Sequence, residues 1–292
     1  MKTYLITGGA GFIGSTLADK LLEKNFKVIV VDNFNDFYNP QIKENNVKNN
    51  LNKSNYKLER VDIRDEKALE KVFDNNEIDG VFHLAAMAGV RPSIENPILY
   101  QQVNGIGTQV LEQAKKHNIK NLVMASSSSV YGNCKEVPFK EDFIVDFAIS
   151  PYAATKKSNE VMAHVYHKLF DMNIIMLRFF TVFGPRQRPD LAINKFTRLM
   201  LEGKEIPMFG DGTTSRDYTF VDDIEKNLDD NTKWVIVDAG GVGSIDVTAV
   251  DRLMSLYKAL EKKGIRFYIT EHKERITQDI YRIPGDSFFF CI

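Results

Sequence analysis

The sequence predicts an α/β protein built on a doubly wound parallel sheet, and three observations carry that prediction. Short, nearly continuous apolar runs alternate with amphipathic stretches of helical period through the first half of the chain. A glycine-rich turn, Gly8-Gly9-Ala10-Gly11-Phe12-Ile13-Gly14, follows the first apolar run at once and opens a helical stretch. An acid, Asp32, closes the second apolar run. Strands buried on both faces read as unbroken hydrophobic runs, and helices must then cover both faces of the sheet.

The elements follow in order. Tyr4 to Thr7 reads as the first strand, Phe12 to Glu23 as the first helix, and Lys27 to Val31 as a β-branched second strand. The segment Asn33 to Asn55 is rich in Asn and Lys and reads as a solvated loop and helix. Later strands are expected at Tyr56 to Val61, Gly80 to Leu84, Asn121 to Ala125 and Ile174 to Arg178. Helices are expected at Glu66 to Phe73, Pro97 to His117 and Pro151 to Phe170. Ser150 suits the N-cap of the last helix and Pro151 its first position, which sets its register.

Composition bounds the function. The 292 residues are 43% hydrophobic and 26% charged with a formal net charge of -1, enough apolar content for one large domain or two moderate ones. Such balance leaves no electrostatic footprint for nucleic acid or an anionic membrane. The most apolar stretch, Ile174 to Phe183, is interrupted by Arg178 and falls short of the ~18 apolar residues of a spanning helix. At the amino terminus, Gly8, Gly9 and Gly11 break the apolar run before any cleavage signal, so a cytoplasmic protein is expected. The two cysteines, Cys134 and Cys291, form no disulfide framework and show no metal-ligand spacing, and no metal site is expected.

The glycine turn satisfies G-x-G-x-x-G from Gly9 and G-x-x-G-x-x-G from Gly8. Glycine is required where the turn is tight, where backbone must approach a pyrophosphate, and where the helix packs close to the sheet. The helix amino terminus then offers unpaired N–H groups and a positive dipole end to phosphate. Asp32 stands where an acid accepts ribose hydroxyls, and Asn33 rather than an arginine follows it, which favours NAD over NADP. Phe12 and Ile13 on the turn, Asp62 and Ile63 after the third strand, and Leu84, Ala85 and Ala86 after the fourth complete the expected cofactor contacts. His83 closes an apolar strand and is expected to be packed and hydrogen-bonded rather than a base.

Tyr152-Ala153-Ala154-Thr155-Lys156 is a Y-x-x-x-K at the start of a helix, and its spacing puts phenol and ammonium on one face. A tyrosine titrates near ~10, so a phenolate at neutral pH needs a drop of roughly 3 units, about 4 kcal/mol. A neighbouring Lys156 ammonium and a nicotinamide cation are the expected sources. The serine run Ser126-Ser127-Ser128-Ser129 ends the fifth strand, where a hydroxyl can bridge the tyrosine and a substrate oxygen.

With the glycine turn, Ser127, Tyr152 and Lys156 on one chain, residues 1 to about 225 resemble the extended short-chain dehydrogenase/reductase superfamily, in its nucleotide-sugar epimerase/dehydratase branch. The match extends through Ala85 to Arg91, Leu177 to Pro185, Arg188-Pro189-Asp190, Phe209 to Gly212 and Ser215 to Ile224, and most resembles UDP-glucuronate and UDP-glucose 4-epimerases. The resemblance implies a Rossmann-type sheet, tightly held NAD and a UDP-sugar inverted at C4 through a 4-keto intermediate. It assigns Ser127 as the catalytic hydroxyl, Tyr152 as the base and Lys156 as its electrostatic partner. Arg216 is implied on the diphosphate, and Asn104, Ser128, Thr181, Arg188 and Phe209 on the substrate side. Dehydratases and decarboxylases of the superfamily carry acids beside the catalytic hydroxyl; Ser128 and Ser129 stand there, which fits simple oxidation and re-reduction. A homodimer through Pro97 to His117 and Pro151 to Phe170 is also implied.

After about Glu225 the family's substrate lobe is not recognisable, so a truncated lobe is expected, with a linker over Glu225 to Lys233. The domains are accordingly 1–225, binding NAD, and 226–292. From Trp234 the chain resembles part of a STAS domain through Val235 to Asp238, Ser244 to Ala249 and Leu256 to Arg266. Val247 occupies the place of the phosphorylated serine of STAS antagonists, so no phosphoswitch is expected, and Asp238 and Asp246 read as turn and cap residues. A strand at Trp234 to Asp238 is expected to pair in parallel with Ile265 to Thr270, with Val247 to Lys263 as the crossover helix and a short helix beyond. A second possibility is then a catalytically impaired fusion whose STAS-like segment binds a protein partner.

Overall fold

In the computed structural model, residues 1–207 and 217–226 are described, together with the backbone of three later strands. The strands are β1 Thr3–Thr7, β2 Lys27–Val31, β3 Tyr56–Glu59, β4 Gly80–His83, β5 Asn121–Ala125, β6 Asn173–Arg178, β7 Thr181–Phe183, β8 Tyr218–Phe220, β9 Trp234–Asp238, β10 Arg266–Thr270 and β11 Phe288–Cys291. The helices are α1 Phe12–Glu23, α2 Pro40–Val47, α3 Glu66–Asp74, α4 Val90–Glu95, α5 Pro97–Asn104, α6 Gly107–Lys116, α7 Pro151–Phe170, α8 Ala192–Leu201 and α9 Val221–Lys226. Among the described residues no helix is long and apolar enough to cross a membrane.

Seven parallel strands form the main sheet in the order β11-β6-β5-β4-β1-β2-β3. The order reverses between β1 and β4, and ligands of such sheets bind beyond the carboxyl ends at that reversal. One apolar core packs α1 and α9 on one face through Leu17, Leu21, Val28, Val30 and Ile224. The other packs α3, α6 and α7 on the opposite face through Leu5, Ile29, Leu69, Leu111, Leu122 and Ala163. β9 and β10 pair in parallel, Trp234 opposite Arg266 through Asp238 opposite Thr270, as their apolar pattern predicts. β11 was not anticipated; it adds to the main sheet beside β6.

Several expectations need correction. Pro97 to His117 is two helices, not one, because Gly105 and Ile106 interrupt it. The reason is close packing on α7: a Cβ at Gly107 would lie 3.2 Å from Asn159 Oδ1, and Asn159 Nδ2 donates to Asn104 O at 3.1 Å. The segment Asn33 to Asn55 is not simply solvated. Lys43, Asn46, Val47 and Asn50 are buried, and Asn46 Nδ2 donates to Ala10 O at 3.0 Å, docking α2 on the glycine turn. The expected linker begins inside α9, which runs to Lys226. Residues 227–233, the predicted crossover helix and the short helix after Thr270 lie outside the described residues.

Candidate active site

The glycine turn joins β1 to α1 with Gly8 at φ +71°, a backbone region that side chains rarely adopt. Space is short as well: a Cβ on Gly14 would sit 2.4 Å from Gly8 O, and one on Gly8 would sit 2.8 Å from Ala85 N at the end of β4. Gly11 differs, since a Cβ there would meet only Gly8 O at 3.2 Å. As N-cap of α1, Gly11 brings no side-chain oxygen to the first turn. The turn is therefore closed toward the sheet and open at its tip, with first-turn N–H groups left for an anion such as a pyrophosphate.

Asp32 ends β2 beside this turn and is buried. Its carboxylate accepts from Ala10 N at 3.2 Å, Phe34 N at 2.9 Å and Lys43 Nζ at 3.3 Å. Lys43 was missed by the sequence because it belongs to the polar segment read as solvated. Asn33 Nδ2 donates to Asp62 Oδ2 at 2.9 Å, and Arg64 grips the same carboxylate at 2.9 and 2.7 Å. The Arg64 guanidinium bonded to Asp62 holds that carboxyl down at about 2. Ile63 is buried nearby in the second core, and Phe12 is buried in the first with Ile13 and Leu84 packed against it. Ala85 N donates to Thr7 Oγ1 at 3.2 Å, and Ala86 follows at the same carboxyl edge. His83 is packed as expected: its Nδ1 is 2.8 Å from Thr7 Oγ1, and burial drives its pKa down to about 3, which keeps it neutral.

On the other side of β4 stand Ser127, Tyr152 and Lys156. Ser150 Oγ accepts from Ala153 N at 3.1 Å and Pro151 starts α7, so the predicted cap holds and Tyr152 sits in the first turn. Lys156 is buried one turn on, its Nζ donating to Ala125 O at 2.7 Å and lying 6.0 Å from the centre of the Tyr152 ring. Burial lowers the Lys156 ammonium to about 8. Ser127 extends β5, caps the 3₁₀ turn Ser128–Tyr131 by accepting from Ser129 N at 3.1 Å, donates to Ser129 Oγ at 3.1 Å, and lies near enough to Tyr152 to lower its phenol's pKa.

The electrostatics of Tyr152 differ from the simple expectation. Burial pushes its phenol above the ordinary value, while the Ser127 hydrogen bond and the Arg188 guanidinium pull it back down. Arg188 is thus a cation beside the Tyr152 phenol. Its guanidinium lies 5.3 Å from the centre of the Phe37 ring and bonds Asp190 through two nitrogens at 3.0 and 2.7 Å. Phe37 and Tyr38 are further site residues the sequence did not flag, since both lie in the polar segment after β2. Replacing Arg188 with Met removes the cation that favours the phenolate, so the acid limb of the kcat/KM profile moves to higher pH, by on the order of one unit. A pH-rate series on that variant checks this.

Among the expected substrate-side residues, Ser128 opens the 3₁₀ turn, and Thr181 stands half-buried in β7 with its N–H donating to Asp217 O at 3.2 Å. Asn104 stands between the segment after β4 and α7. It is buried, its Oδ1 accepts from Met87 N at 2.8 Å, and its Nδ2 donates to Met87 O at 3.0 Å and Thr155 Oγ1 at 3.2 Å. Its amide braces the segment after β4 against α7. Phe209 and Arg216 lie outside the described residues.

Residues 5–233 match the family described as GDP-mannose 4,6 dehydratase, and residues 208–289 match the STAS domain. A UDP-glucuronate 4-epimerase of Thermodesulfobacterium geofontis is 42% identical over 278 residues, 94% of this chain and 85% of that protein. A UDP-glucuronic acid 4-epimerase of Bacillus cereus, solved with UDP-glucuronic acid and NAD, superposes with a TM-score of 0.71 at 31% identity, covering 99% of this chain and 86% of that one. A UDP-glucose 4-epimerase of Thermotoga maritima, solved with UDP-glucose, gives a TM-score of 0.70 at 32% identity over 97% and 90% of the two chains. The sheet order, the turn on β1 and the match through residue 233 agree, and this chain belongs to the GDP-mannose 4,6 dehydratase family of short-chain-type epimerases and dehydratases.

Proposed function

We propose that this chain is an NAD-dependent 4-epimerase of a UDP-sugar, of the UDP-glucuronate or UDP-glucose type. The observation that carries the reading is the convergence of Ser127, Tyr152 and Lys156 at the carboxyl edge of the sheet, next to a turn built for a pyrophosphate. In this reading Gly8, Gly11, Gly14 and the α1 amino terminus hold the cofactor's pyrophosphate, Asp32 its adenosine ribose, and Asp62 with Ile63 the adenine side. NAD bound there supplies a hydride acceptor at C4 and a donor for its return. Tyr152 takes the O4 proton through Ser127 as the C4–H bond breaks, and gives it back when the ketone is reduced on its other face. Lys156, pinned to Ala125 O, keeps a positive charge beside the phenolate and the ribose.

Asn104, Arg188, Thr181, Ser128, Phe209 and Arg216 serve the substrate side, and Arg216 suits a diphosphate by its charge and forked donors. A two-part layout, 1–225 and 226–292, a homodimer through α5, α6 and α7, a partner-binding role for the STAS-like segment and a cytoplasmic location belong to the same reading. The alternative, an NAD-binding fusion with impaired catalysis, draws its support from the STAS match at residues 208–289. Purified protein with NAD, supplied separately with UDP-glucuronate and UDP-glucose, tests the two. Interconversion with the 4-epimer supports catalysis; NAD binding without turnover supports the alternative.

A further inference from the structure

Beneath the proposed catalytic group lies a charged pair for which the mechanism has no use. Arg178 at the end of β6 and Glu160 on α7 are both buried, each side chain 3% exposed. They form a two-armed ion pair, Nε to Oε1 at 2.9 Å and Nη2 to Oε2 at 3.0 Å. Burying two charges costs several kcal/mol per ion before their attraction repays it, and an apolar pair of similar volume is often as stable. A contact of that kind in the middle of a core asks what else it holds.

What it holds is the catalytic edge. Ser126 Oγ donates to Glu160 Oε1 at 2.6 Å, and Ser126 is the residue directly before Ser127. Arg178 Nη1 donates to Tyr131 OH and to Glu141 O, both at 3.1 Å, which ties down the far end of the 3₁₀ turn that Ser127 caps. Glu160 stands one turn after Lys156 and two after Tyr152 on α7. The backbone on either side of Ser127 is further stitched to β6 by Ser126 N to Leu177 O at 2.7 Å and Ser128 N to Phe179 O at 2.9 Å. One ion pair therefore joins the helix that carries the base, the segment that carries the hydroxyl, and the strand between them.

We propose that Glu160 and Arg178, acting through Ser126, are positioning residues that set the Ser127 hydroxyl against Tyr152 for proton transfer. This rests on the epimerase reading of the site. The groups facing Tyr152 are Lys156 from its own helix, Ser127 from the end of β5, Tyr100 from α5 with its ring edge-on at 6.2 Å, and Arg188 with its partner Asp190. Neither Glu160 nor Arg178 is among them, so their effect must pass through geometry.

The test is Ser126→Ala in the NAD-loaded enzyme. It removes one hydroxyl and leaves the ion pair intact. Because misplacing a reacting group by a fraction of an ångström to 1 Å is enough, kcat should fall roughly tenfold to a hundredfold. KM for the UDP-sugar and the thermal midpoint should stay close to the parent, and the acid limb of kcat should move to higher pH as Ser127 loosens from the phenol. Arg178→Lys keeps the charge but loses the fork, and should show the same split between kcat and KM. Loss of thermal stability in both variants with kcat and its pH profile unchanged would overturn the proposal and leave the pair a structural brace. A parent enzyme without turnover on any UDP-sugar would overturn the underlying reading, and the proposal with it.

Discussion

Tyr152→Phe lowers kcat by roughly a thousandfold, within the range that general acid–base groups supply, and leaves NAD binding within a few-fold of the parent. In the proposed reading the phenol hydroxyl takes the substrate proton through Ser127, and phenylalanine keeps the ring that packs edge-on against Tyr100. The cofactor contacts proposed at the glycine turn and Asp32 are untouched, so binding survives. Burial raises the phenol's pKa, so the ionised base is favoured as pH rises and parent turnover climbs from neutral into alkaline pH until another group limits it. The variant should lose that climb along with its rate. Steady-state kinetics across pH, with cofactor binding measured by fluorescence or calorimetry, check both parts.

Glu160→Leu strands the buried Arg178 guanidinium, and removing one partner of a buried pair costs ~3–5 kcal/mol. For a chain of this size that corresponds to a fall in Tm on the order of 10 °C. The double variant Glu160→Leu with Arg178→Met removes both charges and should recover most of the stability, because no uncompensated ion remains. Recovered Tm without recovered kcat would separate the pair's cost to folding from its use in positioning. Thermal melts of the two variants in the same buffer, followed by activity assays, make the comparison.

Much of this frame is legible in the sequence because its signals are local. α1, β2, β5 and α7 begin and end where glycine, proline, serine and the apolar runs place them. Ser150 and Pro151 fix α7 within one residue of Tyr152, which is why the tyrosine–lysine register needs no tertiary information. What the sequence hides is contact across distance. Lys43, Phe37 and Tyr38 fold over the site from a segment whose composition reads as solvent-facing. Gly105 interrupts the α5–α6 stretch because α6 closes on Asn159, and no helical periodicity records that approach. The bonds of Asn104 to Met87 and Thr155 are of the same kind, since both partners arrive from elsewhere in the chain. For Arg178 a signal existed: a charge closing an otherwise apolar strand demands a buried partner, and Glu160, one turn past Lys156, was the candidate on the same helix.

The account turns on hydride leaving C4 and returning to it, and an isotope measurement addresses that most directly. A UDP-sugar substrate carrying deuterium at C4 is converted in ordinary water by the NAD-loaded enzyme, and the 4-epimer is examined by NMR and mass spectrometry. Oxidation and re-reduction by a held cofactor keep the label at C4 of the product, with no deuterium lost to solvent. Exchange of the C4 label with water, or no conversion by protein that binds NAD, would contradict the assignment of Ser127, Tyr152 and Lys156 to this chemistry.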